Sequence, residues 1–356
     1  MSRLSRPRDK SALQSKERFA YLELRLTELR SSVWRSAVRL MIPMLLSYLI
    51  FSGSAAAQSK VDAAKAHYSR GRGLADKGDL NGAIAEYREA LRLKPDLPEA
   101  HFNLGNALSE KGDLDGALAE LRQALRLMPD LSEAHYNLGN VLLDKGDLDE
   151  AITEYRQALR LTPHDPDVHY NLGIALDDKG DLEGAITEYR QALRLKPDNP
   201  LVHCNLGIAL RHKGDLDGAI TEYRQALRLK PDLPVAHYDL ATALGRKGDL
   251  DGAIAEFRQA LRLKPDLPDA HFNLGSALGR KGDLDGAIIE YRQALRFKPD
   301  MPDAHFGLGA ALEDKGDLDG AIAEYRQALR LRPDYPEARS SLTELLAKKG
   351  KPESKH

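Results

Sequence analysis

The chain has 356 residues, of which 30% are charged and 42% hydrophobic, and its formal net charge is −2. Residues 1–57 carry ten Lys/Arg against four Asp/Glu, so the remainder of the chain has a net charge of −8. Such an acidic region lacks the concentrated positive charge that displaces counterions from phosphates, which argues against nucleic-acid binding. Cys204 is the single cysteine, which excludes an intramolecular disulfide and a cysteine-based metal cage.

The beginning of the chain predicts a targeting segment. A basic polar segment, residues 1–39, precedes a mainly apolar core of 12 residues, residues 40–51. This core is shorter than the ~20 residues of a spanning helix, and the alanines at 55–57 form the small-residue site that a signal peptidase accepts. We therefore expect residues 40–57 to be a signal-peptide core and the protein to be exported, periplasmic or secreted, after cleavage near Ala57.

Two alternatives stay open for this segment. Residues 40–59 are 20 uncharged residues with a basic flank, which is enough for an uncleaved membrane anchor. They are also compatible with a buried hydrophobic helix of a cytosolic protein. A translation start near Val33 would give the signal peptide an ordinary length.

The rest of the chain repeats every 34 residues. A proline marks the end of each period at Pro95, Pro129, Pro163, Pro197, Pro231, Pro265, Pro299 and Pro333. The period divides residues 64–335 into eight units, and it is typical of stacked supersecondary structure. Ordering one unit costs more backbone entropy than its own apolar side chains return, so neighbouring units must share a core.

Each unit predicts two helices joined by a turn, as residues 98–131 illustrate. The first helical face carries His101, Leu104, Gly105 and Leu108, and the second carries Leu114, Ala117, Leu118, Leu121 and Leu125. Pro98 suits a first helical turn, Gly112 a left-handed end, and Asp113 an N-cap. Pro129 prevents extension of the second helix.

This pattern resembles the tetratricopeptide repeat. In the third unit the matching residues are His135, Leu138-Gly139, Leu142, Ala151, Tyr155, Ala158 and Pro163. Histidine replaces the usual large aromatic residue and leucine the usual tyrosine, which bears on the packing angle. The resemblance implies an all-α solenoid, a right-handed superhelix that acts as a protein–protein interaction scaffold. Residues 336–349 predict a closing helix, and residues 350–356 form a basic tail.

The resemblance also implies that the first helices line a concave groove that receives extended polypeptides. An asparagine recurs on them as Asn103, Asn137, Asn171, Asn205 and Asn273, next to the aromatic residues Phe102, Tyr136, Tyr170 and Tyr238. An amide both donates and accepts, so this series is predicted to hold the backbone of a bound peptide. The alternative is that the asparagines bond only to neighbouring helices or to water.

The residues before each Lys-Gly-Asp turn vary most between units. Arg211, Arg246 and Arg280 predict a positive patch in the middle of the groove, suited to the carboxylates of an acidic segment or of a chain terminus. The alternative is a solvated helix end.

A histidine recurs in every unit: His67, His101, His135, His169, His203, His237, His271 and His305. Neighbours in this series lie a full repeat apart, too far to share a metal ion, so we expect a packing role. The repeats contain no Gly-rich phosphate loop or nucleophile with a base, so we expect neither a cofactor nor catalysis. Two other functions stay open: an accessory or regulatory arm of an enzyme or of a secretion or assembly complex, and self-association through the array's ends.

Overall fold

The computed structural model describes residues 57–349, residues 37–47, Glu23 and Trp34. Residues 37–47 are helical. In the described part of the chain, none of the helices combines the length and the apolar composition that crossing a membrane requires.

Several predictions fall outside the described residues. Most of the basic segment 1–39 and the whole basic tail 350–356 lie there. So do residues 48–56, in the middle of the predicted signal core or anchor. Cleavage near Ala57, export and membrane attachment therefore stay predictions.

From residue 57 onward the described chain is helical apart from short turns, which confirms the all-α fold. The helices are α1 (57–75), α2 (Leu80–Leu93), α3 (Pro98–Glu110), α4 (Leu114–Leu127), α5 (Ser132–Lys145), α6 (Leu148–Leu161), α7 (Pro166–Asp178), α8 (Leu182–Leu195), α9 (Pro200–Lys213), α10 (Leu216–Leu229), α11 (Pro234–Lys247), α12 (Leu250–Leu263), α13 (Pro268–Arg280), α14 (Leu284–Phe297), α15 (Pro302–Asp314), α16 (Leu318–Leu331) and α17 (Pro336–Lys349).

The chain divides into two compact units, residues 1–111 and residues 112–356. In the first unit, α2 packs against α3. In the second, each helix from α4 to α17 packs against the next one along the chain, and the final helix α17 covers α16. This nearest-neighbour packing is how helical repeats share a core.

The turn residues fix the helix ends as the sequence predicts. Gly112 has a φ of 81°, in the left-handed region that favours glycine. The carboxylate of Asp113 then accepts a hydrogen bond from the backbone N–H of Gly116 at 3.0 Å, which caps α4.

Small residues let the two helices of a repeat approach each other. A Cβ atom added to Gly139 would lie 2.7 Å from Cε1 of Tyr155, whose ring is fully buried. Ala151 and Ala158 beside it are also fully buried. The close approach explains why glycine and alanine recur at these positions.

Ion pairs connect successive repeats at the turns of the second unit. A lysine at or just after the end of each helix α5, α7, α9, α11, α13, α15 and α17 meets an acidic residue at the start of the preceding second helix. The pairs are Lys145–Asp115, Lys179–Asp149, Lys213–Glu183, Lys247–Asp217, Lys281–Asp251, Lys315–Asp285 and Lys349–Asp319. The acidic partners are largely exposed, so solvent and salt screen these pairs strongly.

Candidate polypeptide-binding face

The first helices of the second unit, α5, α7, α9, α11, α13 and α15, contact one another in order. Each buries a leucine followed by a small residue, which is glycine except for Ala241 on α11. The predicted aromatic and asparagine residues on these helices are half-buried beside that pair. Phe102 and Asn103 lie on α3 in the first unit and are also half-buried. Below, the binding face means this half-buried face of the first helices in the second unit.

Most of the predicted asparagines are hydrogen-bonded to a tyrosine hydroxyl one repeat earlier. Nδ2 donates to the hydroxyl in Asn103 to Tyr68 (2.9 Å), Asn171 to Tyr136 (3.0 Å), Asn205 to Tyr170 (3.1 Å) and Asn273 to Tyr238 (3.0 Å). Asn137 is half-buried on α5, and the residue at the tyrosine position 35 residues before it is Phe102, which has no hydroxyl. The asparagines therefore brace successive repeats, which is the alternative that the sequence left open. Each bond uses one Nδ2 hydrogen, and Nδ2 of Asn171 also donates to Oδ1 of Asn140 at 2.8 Å. Peptide contact by the remaining donors and acceptors of these amides stays a prediction.

The tyrosine–asparagine brace is broken at two places between repeats of the second unit, and Phe306 and Ser341 replace it between the last repeat and the closing helix α17. Cys204 stands where another repeat has the tyrosine, and Asp239 stands where the asparagine would be. Further along, Phe272 lacks a hydroxyl, and its counterpart is Gly307. At both places the hydroxyl and the amide are missing together, whereas Asn137 keeps the amide although Phe102 stands at the tyrosine position before it. Asp239 and Gly307, which replace the asparagine of the series in these repeats, thus join the candidate site residues.

A concavity of about 440 Å³ lies on the binding face beside the first break. Five predicted site residues line it: Arg211, Tyr238, Arg246, Asn273 and Arg280. The structure therefore brings the three arginines together with one asparagine and one tyrosine of the predicted groove. Asp239 lines the same concavity.

The charged residues of this concavity differ in their exposure to solvent. Nη2 of Arg211 lies 3.7 Å from Oδ1 of Asp239, and both side chains are almost entirely enclosed, at 14% and 10% exposure. Burial raises the pKa of Asp239, while the charges of Arg211 and His212 act in the opposite direction. The charge of Arg211 is thus balanced internally, whereas Arg246 and Arg280 are exposed.

A concavity of about 450 Å³ lies at the second break, and its wall combines aromatic rings with the charged residues Arg280, Asp303 and Asp314. Phe272, Phe306 and Tyr335 line it, and the ring centroids of Phe306 and Tyr335 are 5.2 Å apart. A Cβ atom on Gly307 would lie 2.8 Å from Cζ of Tyr291, so the ring of Tyr291 takes the space of a side chain there. Glycine at this position leaves the aromatic rings accessible.

An ion pair fixes the far wall of this second concavity. Both terminal nitrogens of Arg332 donate to the carboxylate of Asp303, at 3.0 and 2.9 Å, and the hydroxyl of Tyr335 donates to Oδ1 at 3.0 Å. The bonds from Arg332 lower the pKa of Asp303, and burial raises the pKa of Tyr335 to about 12. Asp303 therefore stays ionised and engaged, and it adds little free negative charge to the face.

The recurrent histidines bridge a carboxylate and a backbone carbonyl. Nδ1 of His203 lies 2.6 Å from Oε2 of Glu222, and Nε2 lies 3.0 Å from the carbonyl oxygen of Pro197. Because both partners are acceptors, only the imidazolium donates to both at once. Burial opposes the charge, but the bonds to Glu222 and to Pro197 outweigh it and raise the pKa of His203.

The same arrangement recurs through the second unit, at His135, His169, His237, His271 and His305. The sequence interpretation gave these histidines a packing role and missed their glutamate partners. A glutamate 19 residues after each histidine was the available signal. Over the described residues, no three His, Cys, Asp or Glu side chains group together as a set that could hold a metal ion.

Comparison with known protein families identifies the repeat along the chain. The family model described as TPR repeat matches residues 71–112, 105–146, 139–177, 175–211, 209–248 and 312–350, and the model described as Tetratricopeptide repeat matches residues 238–302. A comparison with curated protein sequences finds no match.

Solved structures share the fold. Pseudomonas aeruginosa pilF is 22% identical with a TM-score of 0.53, over 60% of this chain and 97% of its own. A chain of the APC/C hetero-tetramer Cut9-Hcn1 is 19% identical with a TM-score of 0.52, over 75% of this chain and 52% of its own. YrrB, a TPR protein with an unusual peptide-binding site, is 22% identical with a TM-score of 0.49, over 53% and 97%.

At these identities, the likeness to pilF and to the Cut9-Hcn1 chain shows the fold alone. The family matches cover most of the chain and coincide with the helical hairpins described above. Such repeats present extended surfaces to other proteins. The chain therefore belongs to the tetratricopeptide-repeat family and is a scaffold for protein–protein interaction.

Proposed function

We propose that this scaffold binds extended polypeptide segments along the binding face. One observation carries the proposal: two concavities on this face lie beside positions where the tyrosine–asparagine brace is broken. Asp239 lines the first one together with the intact Tyr238–Asn273 pair, and Phe272 and Gly307 line the second. The core residues are nearly the same in every repeat, whereas these positions differ from their counterparts. Departures that the fold does not require are expected where a partner is recognised.

The chemistry of the face suits a peptide in an extended conformation. Amides, hydroxyls and arginines stand beside aromatic rings, so a peptide backbone finds hydrogen-bond partners and its side chains find apolar surface. Successive first helices repeat these groups at one-repeat intervals, which matches the linear form of an extended chain better than a compact ligand.

A selection from a library of short random peptides, displayed against the full chain, tests the proposal. In the variant Ala310→Ile, the second concavity is filled with the residue that sister repeats carry as Ile174 and Ile208. Its control is Ala255→Ile, an exposed position on the second helix α12 where the next repeat has Ile289. Selected peptides should bind the control as they bind the original chain and bind Ala310→Ile more weakly.

Equal binding to both variants and the original chain would place recognition elsewhere, and the groove proposal would be wrong. Circular dichroism of each variant checks that the fold is unchanged. Because both substitutions occur naturally in sister repeats, we expect both variants to fold.

We also propose that the protein works after export, since residues 40–57 have the order of a signal peptide. Mass spectrometry of the mature protein from its own cells measures the first residue. Gln58 as that residue supports the proposal, and an intact N-terminal segment contradicts it.

A further inference from the structure

We propose that the two concavities form one composite subsite, which selects an acidic side chain and a bulky apolar side chain two or three residues apart in an extended peptide. The inference rests on the proposed function and adds the chemical class of the ligand to it.

The first concavity supplies the acidic preference. Three arginines and one aspartate line it, which leaves a formal excess of two positive charges. Arg211 and Asp239 pair with each other in an enclosed position. The excess positive charge is therefore that of Arg246 and Arg280, which are exposed. A carboxylate placed between these two guanidinium groups gains charge-assisted hydrogen bonds.

The second concavity supplies the apolar preference. Phe272, Phe306 and Tyr335 offer aromatic surface, and Gly307 contributes no side chain that would cover it. Its volume of about 450 Å³ is ample for one large apolar side chain. Aromatic walls favour an aromatic guest, since offset rings attract each other beyond the burial of area.

The spacing between the two recognised side chains follows from the single helix, α13, that lies between the concavities. Ser276 and Arg280 on α13 line both, so the concavities are adjacent across this one helix. Nη1 of Arg280 donates to the carbonyl oxygen of Gly245 at 3.4 Å, which directs its guanidinium toward α11. Neighbouring helices lie about 8–10 Å apart. An extended peptide advances ~3.3 Å per residue, so two or three residues cover that distance.

Charge also decides which polypeptide fits. The basic segments of this chain, residues 1–39 and 350–356, would be repelled by Arg246 and Arg280. The occupant is therefore a separate acidic polypeptide. A nucleic acid would share the negative charge but would not depend on an apolar side chain.

Fluorescence anisotropy with the full chain tests the subsite. The probe is a labelled peptide of Ser and Thr that carries one Glu and one Phe separated by two residues. Three comparison peptides carry Gln in place of Glu, Ala in place of Phe, or both changes. We expect the Gln peptide and the Ala peptide each to bind about tenfold more weakly.

The variant carrying Arg246→Asp and Arg280→Asp adopts residues that sister repeats have as Asp178 and Asp314, so it should fold. It should lose affinity for the Glu probe and lose its preference for Glu over Gln. The same change at two exposed second-helix arginines, Arg258→Asp and Arg292→Asp, is the control and should keep that preference. Ala310→Ile should weaken the Phe probe and leave the Ala peptide unaffected.

Equal binding of the Glu and Gln peptides, loss of preference in the control, or displacement by single-stranded RNA regardless of the Phe would overturn the subsite. If peptides from the library selection still respond to Ala310→Ile, the proposed function survives that failure. If neither the selected peptides nor the probes respond to it, both proposals are wrong.

Discussion

The brace between Tyr238 and Asn273 makes a sharp test of how the asparagines act. Tyr238→Phe removes only the hydroxyl that accepts the 3.0 Å bond from Asn273. The net contribution of such a bond is about 0.5–1.5 kcal/mol, so each of Tyr238→Phe and Asn273→Ala should lower local stability by about 1 kcal/mol. The double variant should lose little more than either single variant, with a coupling of about 1 kcal/mol. Hydrogen exchange of the amides in α11 and α13 measures this opening locally.

Additive losses in this cycle would refute the brace. Tyr170→Phe provides the control, because its bond to Asn205 connects α7 with α9 and should leave the exchange of α13 unchanged. A peptide-binding measurement on Asn273→Ala distinguishes the two possible roles of the Asn273 amide, which are bracing the repeats and contacting a peptide. If Asn273→Ala weakens peptide binding but leaves exchange unchanged, then Asn273 serves the peptide and not the fold.

Three further predictions concern the framework. Gly139→Ala should cost about 1–3 kcal/mol in urea unfolding, because the added methyl meets the ring of Tyr155 at 2.7 Å. Because the pKa values of His203 and His271 are raised in the fold, their stabilisation is complete below the imidazole pKa of ~6.5 and is lost as pH rises through the folded values. The unfolding temperature should therefore fall over this interval, less steeply after His203→Gln and His271→Gln. Asn81→Asp gives the first unit the ion pair of the other turns and should raise the unfolding temperature slightly, an effect that ~1 M salt removes.

The sequence predicts the fold because the same helix, cap and turn residues recur in every repeat. The helix of residues 98–110, its left-handed end at Gly112 and the cap at Asp113 follow from local rules, and the structure has all three. The role of the asparagines does not follow locally, since an amide finds equivalent partners in a peptide, in water or in a neighbouring side chain. The partner found in the structure is the hydroxyl of the tyrosine 35 residues earlier, as for Asn205 and Tyr170. Those two residues come together only when the repeats stack.

The broken braces show how this face can differ between repeats that share the same core residues. A tyrosine and its asparagine belong to different repeats, so the loss of one hydroxyl frees a position in the next repeat from the demands of packing. At Cys204 the freed position became Asp239, which is buried against Arg211, and at Phe272 it became Gly307. The leucines that follow them in the chain, Leu240 and Leu308, stay buried as in the other repeats. If peptides bind this face as proposed, the positions where both members of a brace have changed are the ones at which we expect recognition to differ between repeats.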